Sequence, residues 1–473
     1  MAIFFKHTLL ALAVSALAAG AAVAGPAADL PKDLPPYAAD KPLPIPEIER
    51  KTLANGLEVW VVPRDGVPRV DFVLAVRNAG LAADARDMPG FATLFTGLLS
   101  EGTATRSSRE IAEFAQGQGG AIGAAASNDG AMVFANALAA NAEPMLSLLA
   151  EVARTPAFPD GEVKLAQANA LQALKAAEAQ PAFKANRALL AATYGDHPYA
   201  RTQQSEASIN AVTPEGLRKE HARRFHPDRA LLVVTGRIAP EDAFRMAEQA
   251  FGDWKAVGAD GPDLPPARRD AVAQRVLVQR DGSVQSTLRL GSPAVSATDP
   301  DYIPLQLAGT VLGGSFSSRV MQNLREDKGY TYGARAGLNA SAKGGYVQGG
   351  ADVRNEVTGA ALSEFFKEYA RIGKEPVPTV ELDDTKRYVA GGYLISNQMQ
   401  AAVAQTLAGN WLLGLPPEYL GEYVPKVRAV TAAQVQAMAA KYFTPERQSI
   451  IVVGDGGAVS EQLAPWGVFK AGQ

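Results

Sequence analysis

Patterns of hydrophobic and polar residues divide the first part of the chain into strands and helices. Two apolar runs, 57–65 and 69–80, predict a hairpin of strands. A further strand is expected at 130–138. The expected helices span 89–101, 107–118, 141–153 and 160–177. Because strands and helices segregate rather than alternate strictly, the pattern favours an α+β fold with helices over one face of a largely antiparallel sheet.

The second part of the chain repeats this order. Its expected strands are 274–281, 287–293 and a pair within 331–352, and its expected helices are 304–312, 318–326 and 356–373. The sequence therefore predicts two similar α+β halves.

Two segments support a repeat directly, because 212–236 and 430–454 align without a gap. In each, Val-Thr precedes a helix-length stretch, and Phe, Pro and Arg then lead into a β-branched run ending in Gly. Thr213 and Thr431 are predicted helix N-caps. A repeat over this distance indicates duplication of a whole domain, with chance similarity of two helix–strand units as the alternative.

Composition marks the expected domain boundaries. The polar, proline-rich segment 258–270 is typical of a linker, here between a first half at 47–257 and a second half at 271–473. The proline-rich stretch 25–46 predicts an extended N-terminal arm.

Residues 1–24 have the parts of a secretory signal peptide. Lys6 precedes an Ala/Leu-rich stretch that ends in Ala22-Val23-Ala24. The alternative is a membrane anchor, but the apolar run 9–24 is shorter than the roughly 20 residues that span a bilayer. We therefore expect an exported protein that keeps no stable membrane anchor after cleavage, with a periplasmic location.

Charge and residue usage exclude several classes of protein. The 46 Lys and Arg nearly balance the 49 Asp and Glu, which argues against a dedicated nucleic-acid binder. The chain has no Cys, so disulfide scaffolds, cysteine-ligated metal sites and thiol nucleophiles are excluded. Only four His residues are present, which restricts any histidine-based metal site.

Several phrases carry a family resemblance. The segment 53–80, the phrase YGDHPYA at 194–200 and the paired segments described above resemble the pitrilysin/insulinase-like zinc metallopeptidases, including the mitochondrial processing peptidase group. The resemblance implies two similar α+β halves that face each other across a peptide-binding chamber.

The zinc site of that family is missing from this sequence. The family uses His-x-x-Glu-His on a helix, with a distant Glu as third ligand. The positions that match these four residues are Thr93, Thr96, Gly97 and Ala173. None of them offers an imidazole or carboxylate, so this chain is expected to bind no metal and, alone, to be no peptidase.

The remaining histidines do not rebuild the site. His221 and His226 are five residues apart, so they do not share a helix face as an i, i+4 pair would. His197 lies in a predicted turn, where a hydrogen bond within the loop is its expected role.

The second half keeps residues that the resemblance makes functional. Arg325 is predicted at the end of a short helix, and Tyr332 on the strand that follows. In the family, an Arg and a Tyr at this spacing bind substrate and stabilise its polarised carbonyl. Taken by themselves, Arg325 could complement a helix C-terminus and Tyr332 could pack on a sheet. Before them, Gly313, Gly314 and Ser315 predict a small-residue loop that a peptide backbone can approach closely.

The resemblance thus favours a non-catalytic, substrate-binding subunit of a heterodimeric zinc peptidase. Arg325 and Tyr332 would serve the active site of a zinc-bearing homologous partner, and zinc is expected in that partner. The alternative is a decayed peptidase homologue that acts only as a structural or peptide-holding protein. A lone peptidase with an unorthodox metal site would need ligands that the sequence does not show.

Overall fold

The structure is a computed structural model that describes residues 46–256 and 263–472. The predicted signal peptide, nearly all of the predicted arm and part of the predicted linker lie outside these residues. No helix within the described part of the chain is long and apolar enough to cross a membrane.

The first half contains one six-stranded sheet and the helices around it. Its strands are β1 (Glu49–Thr52), β2 (Glu58–Pro63), β3 (Arg69–Arg77), β4 (Ala121–Ala126), β5 (Gly130–Leu138) and β6 (Ala230–Gly236). Its α-helices are α1 (Phe91–Gly97), α2 (Ser108–Gly117), α3 (Ala142–Arg154), α4 (Asp160–Glu178), α5 (Pro181–Tyr194), α6 (Glu206–Asn210), α7 (Pro214–Arg224) and α8 (Pro240–Phe251).

The predicted hairpin of 57–65 and 69–80, which form β2 and β3, is wrong. The sheet has the order β1-β2-β6-β3-β5-β4, so β6 lies between β2 and β3. It pairs parallel with β2 and antiparallel with β3. An apolar run indicates that a strand is buried, but it does not identify the neighbouring strand, and here the central place goes to the apolar run 230–236.

The second half repeats this topology in five of its six strands. Its strands are β7 (Arg275–Gln279), β8 (Gln285–Ala294), β9 (Ala334–Ser341), β10 (Gly344–Arg354), β11 (Ser449–Gly454) and β12 (Lys470–Ala471). Its α-helices are α9 (Tyr302–Gly309), α10 (Arg319–Met321), α11 (Thr358–Lys374), α12 (Thr379–Ser396), α13 (Gln400–Leu412), α14 (Tyr419–Ala429), α15 (Ala432–Tyr442) and α16 (Gly456–Leu463). The order β7-β11-β8-β10-β9 matches β2-β6-β3-β5-β4 of the first sheet. The outer strands differ, because β1 pairs antiparallel with β2 whereas β12 pairs parallel with β7. The expected α+β fold with two homologous halves is therefore confirmed.

The two halves exchange helices across their sheets. Helix α13 of the second half packs Leu407 and Trp411 against Val73 and Val233 of the first sheet. In return, α5 of the first half packs Leu189 against Ile451 of the second sheet. The central strands are therefore buried on both faces, whereas the pattern predicted helices on one face only.

The turns of two edge hairpins also meet. In the β9–β10 turn, the amide of Ala342 donates to Asp129 Oδ2 at 3.1 Å, and the amide of Lys343 donates to the Tyr199 hydroxyl at 3.1 Å. Tyr199 in turn donates to Asp129, which lies in the β4–β5 turn. Burial raises the pKa of Asp129. This network fixes one half against the other through buried polar groups.

The predicted loop hydrogen bond of His197 is confirmed. Its Nδ1 accepts from the amide of Tyr199 at 3.2 Å, and its Nε2 lies 2.9 Å from the carbonyl oxygen of Pro265. Because Nδ1 accepts, the proton is on Nε2, which donates to Pro265. His197 therefore ties the start of the second half to the first half.

Candidate functional site

The helix that matches the family's zinc motif is intact but has no metal ligands. Helix α1 begins after Gly90, which has a left-handed φ of 73°. Thr93 and Gly97 lie one turn apart on its exposed face, and a Cβ atom at Gly97 would meet no atom within 4 Å. Ala173 lies exposed on α4. The surface where two imidazoles would project is therefore present, but its side chains are small and neutral.

Thr96, at the position of the family's general base, is committed to the helix backbone. It is buried, and its hydroxyl donates to the carbonyl oxygen of Ala92 at 2.8 Å. A hydroxyl used in this way has neither the charge nor the orientation to deprotonate a water molecule.

The other histidines serve packing. His221 stacks on Phe225 with ring centroids 4.9 Å apart, and its Nε2 lies 2.8 Å from the carbonyl oxygen of Ala153. Burial lowers the pKa of His221, which favours the neutral ring. His226 is 2% exposed, with Nε2 3.0 Å from the carbonyl oxygen of Ala222. Within 46–256 and 263–472, no group of three or more His, Asp or Glu side chains is placed to hold a metal ion. The residues present thus do not fit zinc.

Arg325 and Tyr332 are brought together by the fold. Arg325 lies in a π-helical turn, Gln322–Asp327, and its Nη1 donates to the backbone carbonyl oxygen of Tyr332 at 3.2 Å. The Tyr332 side chain is 93% exposed. Both side chains therefore stand on one small surface that is open to a ligand.

The predicted strand position of Tyr332 is wrong, because β9 begins only at Ala334. The reason is local. The Thr331 hydroxyl oxygen lies 3.1 Å from both the amide nitrogen and the carbonyl oxygen of Gly333, which closes a tight turn before the strand. Tyr332 is at the apex of this turn, so its ring points away from the sheet rather than packing on it.

Phe316 is a third member of this surface, and it was not identified from the sequence. Its ring is 60% exposed, and the Arg325 guanidinium carbon lies 4.6 Å from the ring centroid. A large aromatic residue between two serines, Ser315 and Ser317, is a signal that could have drawn attention to it. We call Phe316, Arg325 and Tyr332 the aromatic–arginine surface.

The glycines before Phe316 have two different roles. Gly313 and Gly314 end a π-helical turn, Thr310–Gly314, rather than forming the predicted loop. Gly313 is buried, and a Cβ atom there would lie 1.9 Å from the amide nitrogen of Ala336, so the glycine allows close packing on β9. Gly314 is exposed and Ser315 half-buried, so these two remain available to a ligand beside Phe316. π-Helical turns are rare and frequently occur at functional sites.

A buried ionic network supports the aromatic–arginine surface from below. Arg319 donates from Nε and Nη2 to the two carboxylate oxygens of Glu381 on α12, at 2.8 and 2.7 Å. Asn323 donates to Glu364 at 2.8 Å and to Glu368 at 3.0 Å, both on α11. These contacts hold the turn that carries Arg325 against two long helices.

The first half offers an edge for a peptide strand next to α1. Strand β4 lies at the edge of its sheet and, within the described part of the chain, pairs only with β5. Its residues are exposed or half-buried, and α1 packs beside it. A cavity of about 290 Å³ lies alongside, lined in part by Glu101, Ile111 and Ile122. An unpaired edge with a neighbouring pocket is suited to strand addition by an extended peptide.

Two family models match successive parts of the chain. Residues 67–205 match the insulinase model of peptidase family M16, and residues 211–389 match the model described as peptidase M16 inactive domain. The chain belongs to the insulinase-like M16 peptidase family. It is a member that lacks the His-x-x-Glu-His motif, since Thr93, Thr96 and Gly97 occupy those positions.

Individual M16 proteins are similar over most of the chain. An uncharacterized zinc protease, YmxG of Bacillus subtilis, is 26% identical and covers 86% of this chain and 99% of its own. A protein of Helicobacter pylori named a non-peptidase homolog is 21% identical and covers 76% of this chain and 83% of its own. A crystal structure of a peptidase M16 inactive domain from Pseudomonas fluorescens superposes with a TM-score of 0.81 at 27% identity, covering 86% of this chain and 98% of that one.

Proposed function

We propose that this M16 homologue is the non-catalytic, substrate-binding subunit of a heterodimeric zinc peptidase in the periplasm. It would lend Arg325 and Tyr332 to the active site of a zinc-bearing homologous partner. The observation that carries the proposal is a difference between the motif helix of the first half and the aromatic–arginine surface of the second half. The motif helix has no metal ligand, whereas the half-buried Arg325 and the exposed Tyr332 are adjacent and firmly supported.

The chemistry of the two side chains suits this role. Arg325 has several N–H donors, of which one is used on the Tyr332 carbonyl oxygen. The Tyr332 hydroxyl lies on a ring that is almost fully exposed, so it can donate to a carbonyl oxygen of a bound peptide. Such a donor stabilises the negative charge that develops on that oxygen, an effect worth about 3 to 4 kcal/mol in comparable sites.

Peptide binding by this chain would use backbone hydrogen bonds. An extended segment added to β4 gains main-chain hydrogen bonds regardless of sequence, and the cavity beside β4 accepts a side chain. A subunit built in this way holds many peptides and leaves the choice of scissile bond to the pair of subunits.

A second candidate function is a purely structural or peptide-holding protein. The local contacts of Arg325 favour it, because the guanidinium also lies 3.2 Å from Glu326 and stacks on Phe316. An arginine with these neighbours has a structural role without any partner. The two functions differ in what happens when the side chain is removed.

The test is reconstitution with a zinc-bearing M16 homologue from the same organism. In the assembled pair, Arg325→Ala and Tyr332→Phe are expected to lower kcat by about 10²–10³ for each lost transition-state donor. Assembly, measured by size-exclusion chromatography, should be unchanged because neither side chain belongs to the buried core. Tyr388→Phe, at a tyrosine that is 58% exposed on α12, is the matched control. Unchanged turnover in the Arg325 and Tyr332 variants would reject the proposal in favour of the structural role.

A further inference from the structure

Two arginines flank a glycine across the second sheet. On β10, Gly350 is paired on one side with Arg335 of β9 and on the other side with Arg289 of β8. Residues directly opposite each other on neighbouring strands project from the same face. A Cβ atom at Gly350 would lie 3.0 Å from both Cδ and Nη1 of Arg289, so the Arg289 side chain extends over the glycine. We call these three residues the arginine row.

Arg289 is a largely buried cation with a weak ionic partner. Its side chain is 19% exposed, and the nearest carboxylate, Asp352, is 3.9 Å away. One oxygen of Asp352 also accepts from the Thr287 hydroxyl at 2.7 Å. Arg289 Nε donates to the side chain of Asn186 and Nη1 to the Leu288 carbonyl oxygen. Buried charges in proteins are normally closely paired, whereas the Arg289 guanidinium lacks a strong counter-charge.

Arg335 adds a second cation on the open side of the row. Its side chain is exposed, and no ion pair within the described residues involves it. Helix α5 covers β7, β8 and β11 on this face, whereas Asn339 of β9 and Asp352 of β10 stay exposed. A ligand can therefore reach the row from the side of β9.

The first half shows that the fold does not require these charges. At the equivalent positions of its sheet, Gly123, Phe134 and Val73 form the matching row, in the same register. There the Phe134 ring covers Gly123, since a Cβ atom at Gly123 would lie 2.9 Å from it. One row is apolar and the other carries two positive charges, although the backbone arrangement is the same.

We infer that the arginine row binds a carboxylate group of a peptide ligand, between Arg335 and Arg289. Guanidinium groups match the geometry of a carboxylate, and because Gly350 has no side chain, no side chain of β10 separates the two arginines at this position. Arg335 is three residues from Tyr332, so their Cα atoms lie no more than about 10 Å apart. The inference rests on the proposed function in assigning the ligand as the same peptide that meets Tyr332.

The test uses the isolated chain and fluorescein-labelled nonapeptides of Ala, Ser and Leu. One set carries a single Glu at each position in turn, and its counterpart carries Gln, both with amidated C-termini. A further peptide has no Glu and a free C-terminal carboxylate. Binding is followed by fluorescence anisotropy for the wild type, Arg335→Ala and Arg289→Met, with Arg245→Ala as a control at an arginine exposed on α8.

We expect a carboxylate at one position, internal or terminal, to tighten binding to the wild type about ten-fold over its neutral counterpart. Arg335→Ala and Arg289→Met should each abolish most of this preference without changing the affinity for the neutral peptide, whereas Arg245→Ala should keep it. High salt should reduce the preference at the exposed Arg335. An exposed position such as Arg335 is not expected to affect folding.

Equal binding of charged and neutral peptides, a preference that survives Arg335→Ala, or no binding of any peptide would overturn the inference. If peptides bind without a charge preference, only the carboxylate site is rejected, and the proposed peptide-binding function is not. The roles of Arg325 and Tyr332 would then still be decided by the turnover of the reconstituted pair.

Discussion

Replacing Gly313 by Ala tests whether this glycine serves packing or ligand binding. The residue ends the π-helical turn Thr310–Gly314, where it lies against β9. An added Cβ atom would be 1.9 Å from the amide nitrogen of Ala336 and 2.6 Å from the carbonyl carbon of Arg335. Both are backbone atoms, so the clash cannot be relieved by rotating a side chain.

The expected cost follows from this geometry. To restore ordinary contact, the turn and β9 must separate by more than about 1 Å, and overpacking of this kind costs about 1–3 kcal/mol or more. The gain in helix propensity from Gly to Ala is at most about 1 kcal/mol and offsets only part of it. Gly314→Ala is the matched control, because the three atoms nearest to its Cβ atom would all belong to the Thr310 side chain, at 3.0–3.2 Å.

Differential scanning calorimetry of the two variants measures the difference. For roughly 420 folded residues the entropy of unfolding is about 0.9 kcal/mol/K, so a loss of about 3 kcal/mol lowers Tm by about 3 °C. We expect this shift for Gly313→Ala and less than about 1 °C for Gly314→Ala. Equal Tm values for the two variants would refute the packing role of Gly313 and would favour the ligand-binding role predicted from the sequence.

Two further predictions concern the metal site and the junction of the halves. The triple variant Thr93→His, Gly97→His and Ala173→Glu should bind one zinc ion per chain, measured by elemental analysis, because the exposed face of α1 has room for side chains. A zinc content equal to that of the wild type would show that the geometry of the site is lost as well as its ligands. Burial raises the pKa of Asp129, so the folded state holds a proton that the unfolded state releases above about pH 4. The unfolding free energy of the wild type minus that of Asp129→Asn should therefore fall as pH rises through the folded pKa of Asp129. Urea denaturation of both proteins measures this difference, and a difference that rises or stays constant with pH would contradict the prediction.

Local signals predicted the elements of the fold well. Thr213 and Thr431 cap their helices as expected, with hydroxyl oxygens accepting from the amides of Gly216 and Gln434 at 3.1 and 3.2 Å. The strand expected at 130–138 is β5 with the same bounds. Capping and alternation depend on neighbours in sequence, so these features can be read without tertiary structure.

Features that depend on distant contacts could not be predicted. Strand β6, which is far along the chain, lies between β2 and β3, so the predicted hairpin of β2 and β3 is wrong. Gly313 was assigned to a ligand loop because its real reason, contact with the backbone of β9, is a tertiary one. The arginine row exists only through strand register, which the separate sequence positions of Arg289, Arg335 and Gly350 do not disclose.

The spacing of Arg325 and Tyr332 was the strongest sequence signal for the site, and the fold does bring the two residues together. Phe316 was missed because an exposed aromatic residue and a buried one have the same letter in a sequence. The structure shows that the Phe316 ring is exposed and that Arg325 stacks on it.

The most direct test of the proposed division of labour measures zinc and cleavage in three samples: this chain alone, its zinc-bearing homologue alone, and the two mixed. We expect no stoichiometric zinc and no cleavage for this chain alone, and one zinc per assembled pair, with turnover far above that of the homologue alone. One tightly held zinc per isolated chain, with peptide cleavage, would contradict it.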